Sequence, residues 1–179
     1  MILPIEVLRS KRLVFQTWVP EDECLLFDLH SDLRVQKSYA PGPEKWTRAG
    51  IAKRFGEYRE EQANFGLTKW KVSLLDGTFA GRGGWSPWGE GTLEIGYAFK
   101  PEFWGFGLAS EAAEALLGWA LQHRVDSQLV GFALTDNAAS RRILEKLGME
   151  FVDLRQIGGI ENAYYSFPER RTPAATIKD

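Results

Sequence analysis

Gly105, Gly107, Ala109 and Ser110 stand close together in the stretch FWGFGLASEA, between a strand-like run and a helix-like run. Residues this small let a ligand approach the main chain, and the amides that open a helix favour an anion. Two readings fit the spacing. Either the glycines do no more than permit a tight turn, or successive amides wrap an anion such as a pyrophosphate. In the second reading each charge-assisted bond contributes about 1.5–3 kcal/mol. Further along, Asn137 and Ser140 lie three apart and share a helix face, and taken alone residues of these types near a helix start are usually caps. No Lys-Ser or Lys-Thr pair follows the last glycine, and no Gly-x-Gly-x-x-Gly follows a first strand, so neither nucleotide fingerprint is present.

The elements that must position these residues follow from pattern. Arg12 to Trp18 alternates as a first strand, Pro20 and three acidic residues open a helix to about Leu29, and Thr47 caps a second helix to about Ala63. Between them SYAPGPEKW is a loop. Leu67–Leu75 and Thr78–Ser86 read as strands joined at Asp76-Gly77, a pair that favours a type I′ turn. A longer loop, PWGEG, leads to a strand over Thr92–Lys100, which Pro101 ends. A helix then runs to about His123 with Ala109, Ala113, Leu116, Leu117, Ala120 and Leu121 on one apolar face. Ser127–Leu134 is a central strand, and a helix capped by Asp136 or Asn137 stops at Gly148. A hairpin turning at Gly158-Gly159 closes the pattern. The order β-α-α-β-β-β-α-β-α-β-β is mixed α/β, with helices available for both sheet faces. One domain over residues 1–179 is expected, with its core at about 12–167 and a mobile tail at 168–179.

Composition narrows the partners. With 22 basic and 24 acidic residues the net charge is −2, which carries no electrostatic footprint of a nucleic-acid binder. His30 and His123 are the only histidines and Cys24 the only cysteine, so no metal cluster or disulfide framework is expected, and Cys24 reads as packing. No run approaches the roughly 18 apolar residues of a membrane span, and the N-terminus has no cleavable leader pattern. A cytoplasmic address is the simplest expectation.

The run YAFKPEFWGFGLASEA resembles the acetyl-CoA signature of the GNAT acetyltransferases: a hydrophobic strand, a Pro-containing turn, then Arg/Gln-x-x-Gly-x-Gly/Ala opening a helix. Trp104 stands where Arg or Gln is usual. The block DNAASRRILEKLGMEF is similar to the Asn-x-x-Ser helix of the branch that includes ribosomal-protein-alanine N-acetyltransferases. The resemblance covers roughly Arg12 to Phe167. It implies a mostly antiparallel sheet of about seven strands with helices on both faces. It also implies transfer of acetyl from acetyl-CoA to a primary amine by direct attack in a ternary complex, without a metal.

By that resemblance, the amides of Gly105, Phe106, Gly107, Leu108, Ala109 and Ser110 take the pyrophosphate. The backbone of Tyr97 and Phe99 pairs with the pantetheine arm, Asn137 bonds it from the other side, and Arg141, Arg142 and Lys146 are the basic residues near the nucleotide. Ser140 serves the leaving thiolate, with Tyr97, Tyr164 and Tyr165 as rivals because a phenol near pKa 10 better matches a thiolate near 8.5. Glu94 is the candidate base, although its parity sets it with Gly96 and Ala98, opposite Tyr97 and Phe99. Tyr39, Trp46, Trp85 and Trp88 lie in or beside the loops at the acceptor end, where an aromatic mouth suits a flat or cationic amine. The acceptor, whether a peptide N-terminus or a small molecule, stays open, as does a homodimer. A non-catalytic acyl-CoA-binding module is the alternative, and a nucleotide-binding regulator is a third reading.

Overall fold

A computed structural model describes residues 3–38, 47–124 and 126–168. Eight strands form one sheet in the order β1-β2-β3-β4-β5-β6-β8-β7. They are β1 Glu6–Arg9, β2 Leu13–Gln16, β3 Lys69–Leu74, β4 Phe79–Gly89, β5 Thr92–Phe99, β6 Gln128–Leu134, β7 Glu150–Ile157 and β8 Ile160–Ser166. Neighbours pair antiparallel except β5 with β6. The helices are α1 Glu23–Ser31, α2 Leu33–Gln36, α3 Arg48–Phe65, α4 Leu108–His123 and α5 Ala138–Lys146. The expected α/β architecture is present with one strand more. EVLR forms β1, ahead of the expected start of the core, and its four residues are too few to show an alternation.

Side-chain alternation sorts the sheet into two faces. On one, Trp70, Trp85, Ile95 and Tyr97 meet α4 and α5. Trp85 Nε1 donates to the Leu116 carbonyl at 3.0 Å, and the Trp70 and Trp119 rings meet edge-on at 4.9 Å. A Cβ on Gly131 would fall 2.7 Å from Leu144, so glycine lets α5 lie close against β6. On the other face, Lys69, Lys71, Arg82, Ser86 and Glu94 lie under α1 and α3. Lys71 Nζ pairs with Asp22 at 2.9 Å, Arg82 Nε donates to His30 Nε2 at 3.1 Å, and Ser86 Oγ donates to Glu61 at 3.1 Å.

Several local expectations hold and several change. Thr47 caps α3 by accepting from the Gly50 amide at 3.1 Å. Leu108, Ala112, Ala113, Leu116 and Ala120 are the buried residues of α4, so the expected stripe is shifted toward its N-terminal turn. Pro20–Asp22 forms a 3-10 turn before α1, not the first turn of an α-helix. Asp76-Gly77 is not a type I′ turn, which needs positive φ at both central residues; only Gly77 has it, at +89°. The Gly77 amide bonds the Leu74 carbonyl at 3.0 Å, as in a three-residue loop closed by a left-handed glycine. Pro87, Trp88 and Gly89 belong to β4, not to a loop. The Trp85 amide bonds Thr68 on the β3 side, so by alternation the Pro87 nitrogen points past the end of β3, where no donor is needed. Cys24 is exposed and not a packing residue. Among the described residues, no helix is long and apolar enough to cross a membrane, and no group of three or more His, Cys, Asp or Glu could hold a metal. The expected mobile tail falls outside the described residues apart from Pro168.

Candidate active site

The turn before α4 takes the form its small residues permit. Gly105 and Gly107 have φ of +81° and +74°, a region that side chains beyond glycine rarely adopt. Gly107 is the N-cap, and no side chain caps the helix. The amides of Leu108, Ala109 and Ser110 therefore open the helix without a side-chain acceptor. These three residues, Gly105 and Gly107 line a cleft of about 1590 Å³, large enough for two substrates. Phe106 does not line it: the residue is 66% exposed, and its backbone belongs to the turn.

Arg12 props this turn from behind. Its Nη1 donates to the Phe106 carbonyl at 2.9 Å, and its Nε to Glu111 at 2.6 Å. Glu111 also accepts from Ser10 Oγ and the Arg12 amide, each at 2.7 Å. Burial alone would raise the Glu111 carboxyl, but these bonds hold it below the usual range. Its negative charge, in the first turn of α4, is thereby matched by Arg12.

Beyond the turn the sheet opens. The β5–β6 ladder ends at Ile95–Gly131, while β5 stays paired with β4 as far as Phe99 and β6 with β8 as far as Leu134. The Lys100 amide bonds the Ala80 carbonyl at 2.9 Å, so even-numbered β5 residues turn their main chain to β4. Tyr97 and Phe99 turn theirs toward the wedge. Trp104 Nε1 donates to the Phe99 carbonyl at 2.8 Å and ties the end of β5 to the glycine turn. Across the wedge, Asn137 Oδ1 accepts from the Ser140 amide at 3.1 Å and caps α5. The Tyr97 and Ser140 hydroxyls lie 3.1 Å apart. The two groups that the sequence offers as rivals are hydrogen-bonded to each other.

The other tyrosines are engaged elsewhere. Tyr165 is buried; its hydroxyl donates to Glu145 at 3.0 Å and accepts from Arg141 Nε at 3.1 Å. Tyr164 lies under the Arg155 guanidinium at 3.5 Å. Arg141 also donates to the Thr135 carbonyl at 3.1 Å, which turns it away from the cleft, whereas Arg142 and Lys146 line it.

The cleft passes through the wedge to the α1–α3 face. Glu94 has the parity expected of it, yet it reaches the same cleft because the opening joins the two faces. Lys69 Nζ donates to Glu94 Oε2 at 2.5 Å and to the Glu94 carbonyl at 2.7 Å. Burial pushes the Lys69 ammonium down to about 8, against the opposing pull of Glu94. His30 is pushed down to about 2, first by burial and then by Arg82 and Arg54, so the ring is neutral. Because its Nε2 accepts from Arg82, the ring proton sits on Nδ1. Trp88 lines this end and leans on Phe132, with ring centroids 4.8 Å apart. Trp85 cannot line it, because it is fully buried in the core against α4. Tyr39 and Trp46 lie outside the described residues.

Sequence reasoning missed the Arg12–Glu111 prop and the Lys69–Glu94 pair. The first joins residues 99 apart and the second residues 25 apart, so no local pattern announces either. Lys69 and Lys71 alternate with Trp70 and Val72 in KWKV, which reads as a solvent face until α1 and α3 cover it.

Comparison with known proteins bears on this geometry. Residues 12–150 match the family model described as the acetyltransferase (GNAT) domain. The uncharacterised N-acetyltransferase YnaD of Bacillus subtilis is 28% identical over 142 residues, covering 78% of this chain and 80% of that one. The crystal structure of a GNAT-family acetyltransferase from Bacillus anthracis superposes with a TM-score of 0.74 at 24% identity, covering 93% of this chain and 99% of that one. RimL, a ribosomal α-N-protein acetyltransferase solved in complex with coenzyme A, gives a TM-score of 0.76 at 15% identity over 90% of this chain and 96% of its own.

Proposed function

The chain belongs to the GNAT acetyltransferase family, and on that premise we propose that it moves acetyl from acetyl-CoA to a primary amine, a protein N-terminus or a small molecule, by direct attack in a ternary complex. The observation that carries this reading is a single cleft that joins the uncapped start of α4, the Tyr97–Ser140 hydroxyl pair and Glu94 across the β5–β6 wedge. The amides from Gly105 to Ser110 hold the diphosphate. The main chain of Tyr97 and Phe99 receives the extended pantetheine arm as a sheet edge receives a strand. Asn137 and Arg142 meet it from α5.

When bound, acetyl-CoA supplies an activated acetyl carbonyl and a thiolate leaving group. Tyr97 and Ser140 direct a hydroxyl proton at the departing sulfur. A phenol, with its ordinary pKa near 10, is the better matched of the two, so Ser140 orients Tyr97 or relays through it. Glu94 takes the proton that the attacking amine sheds. The Oε1 oxygen of Glu94 accepts no hydrogen bond from a described residue, which leaves it available.

The acceptor half supports an amine that arrives with little charge. Its carboxylates stand beside cations: Glu94 with Lys69, and Glu57 and Glu61 with Arg54. Little negative charge is left over to hold a polycation. At pH 7 an α-amine loses its proton at a cost of about 1–1.4 kcal/mol, against about 4.6 kcal/mol for a lysine side chain. α-Amines are therefore the favoured class.

The test is incubation with acetyl-CoA and a panel of peptides with free α-amines, polyamines and amine-bearing antibiotics, with thiol release and product mass followed. Turnover with α-amines ahead of polyamines is expected. Binding of coenzyme A without release for any acceptor would instead mark a non-catalytic acyl-CoA-binding module.

A further inference from the structure

Lys69, Gly84 and Gly96 form one rung across β3, β4 and β5, since Lys69 pairs with Gly84 and Gly84 with Gly96. Two glycines in succession leave that rung bare of side chains on the α1–α3 face. The Lys69 side chain lies in the space they leave: a Cβ on Gly96 would come within 2.6 Å of Lys69 Cε, 3.1 Å of its Nζ and 3.3 Å of Glu94 Oε1. At the end of this path, two ammonium hydrogens go to one residue, the carboxylate and the carbonyl of Glu94. The side chains of Lys69 and Glu94 are 5% and 13% exposed, so water does little of this work.

We propose that Lys69 is a positioning residue for acetyl transfer: it lies over Gly96 to clamp Glu94 through Oε2, leaving Oε1 directed at the acceptor amine. The inference rests on the reading of Glu94 as the amine's proton acceptor. The charged and titratable groups packed on the same face are Lys71 on β3 with its partner Asp22, Arg82 on β4, His30 on α1, and Arg54, Glu57, Tyr58 and Glu61 on α3. Arg82 and Arg54 both disfavour the Lys69 ammonium, and Glu94 sustains it. With the lysine removed, the carboxylate loses its nearest cation and the hydrogen bond that fixes Oε2.

Lys69→Met, Gly96→Ala, Glu94→Gln and the Lys69→Met/Glu94→Gln double variant test this, with kcat and both KM values measured on a peptide bearing a free α-amine. Lys69→Met is expected to lower kcat about ten- to a hundredfold, with the KM for acetyl-CoA unchanged. Gly96→Ala keeps every charge but displaces the lysine, and should lower kcat with the same unchanged KM. The double variant should be no slower than Glu94→Gln alone, because a residue that acts through another adds nothing once that one is gone. A slow Glu94→Gln beside a Lys69→Met and a Gly96→Ala with wild-type kcat would overturn the role of Lys69 and leave Glu94 standing. An unimpaired Glu94→Gln would overturn both. If Lys69→Met does not fold, Gly96→Ala alone decides: a wild-type kcat sinks the proposal.

Discussion

On the α4–α5 face the cleft opens on the glycine turn, at Gly105, Gly107 and the uncapped first turn of α4, whereas on the α1–α3 face it is lined by charged side chains paired with one another. The first half depends on backbone dihedrals that a few neighbouring residues set. The second depends on contacts between strands and helices far apart in sequence. Main-chain recognition tolerates a changed side chain provided the backbone angle survives, and for that reason Trp104 stands where a different residue was expected without disturbing the turn. Side-chain recognition has less tolerance: Lys69 reaches Glu94 across the space that a Cβ on Gly96 would enter, 2.6 Å from Lys69 Cε.

Substitution at the glycine turn should break the first half outright. Gly107→Val forces a β-branched residue into φ +74°, and calorimetry should show coenzyme A affinity falling by about a hundredfold, in line with a strain of about 1–3 kcal/mol plus lost amide contacts. Acceptor-side residues should be untouched by the same change.

The next effect belongs to the second half and is read in stability. The folded protein keeps His30 neutral to about pH 2, while the unfolded chain protonates it near 6.5. The folded pKa is the lower one, so the unfolded state binds the extra proton and stability falls as pH drops below 6.5. By pH 5 the loss is about 2 kcal/mol, measured by denaturant titration, and His30→Gln should flatten that slope. A slope unchanged in the variant would assign the acid sensitivity elsewhere.

The hydroxyl pair where the halves meet is a smaller effect. Tyr97→Phe is expected to lower kcat about tenfold, and Ser140→Ala less, with coenzyme A binding retained in both. The reverse ranking would make Ser140 the donor. Least of all, Arg12→Ala should weaken coenzyme A binding about threefold, because Arg12 is nearly half exposed and its pair with Glu111 is screened. A large loss there would mean that the prop, rather than the glycines, shapes the turn.

The same contrast decides what the sequence reveals. The strand-turn-helix around Gly107, the Asn137 cap and the helix faces are legible because each is set within about two turns of chain. Trp85 is misread because the residues after it look like a loop, when Pro87 in fact sits where β4 has lost its β3 neighbour. Glu94 is placed on the correct face, but only the wedge shows why that face matters. Lys69 gives no signal, since a lysine alternating with apolar residues reads as solvated until the covering helices are known.

The parallel border between β5 and β6 has four rungs, Thr92–Gln128, Leu93–Leu129, Glu94–Val130 and Ile95–Gly131. Beyond those rungs the two strands are unpaired with each other, and an extended ligand laid in the gap would lengthen the seam. If the cofactor binds there, occupancy and the length of that seam are linked, and resistance to unfolding should grow with the logarithm of ligand concentration.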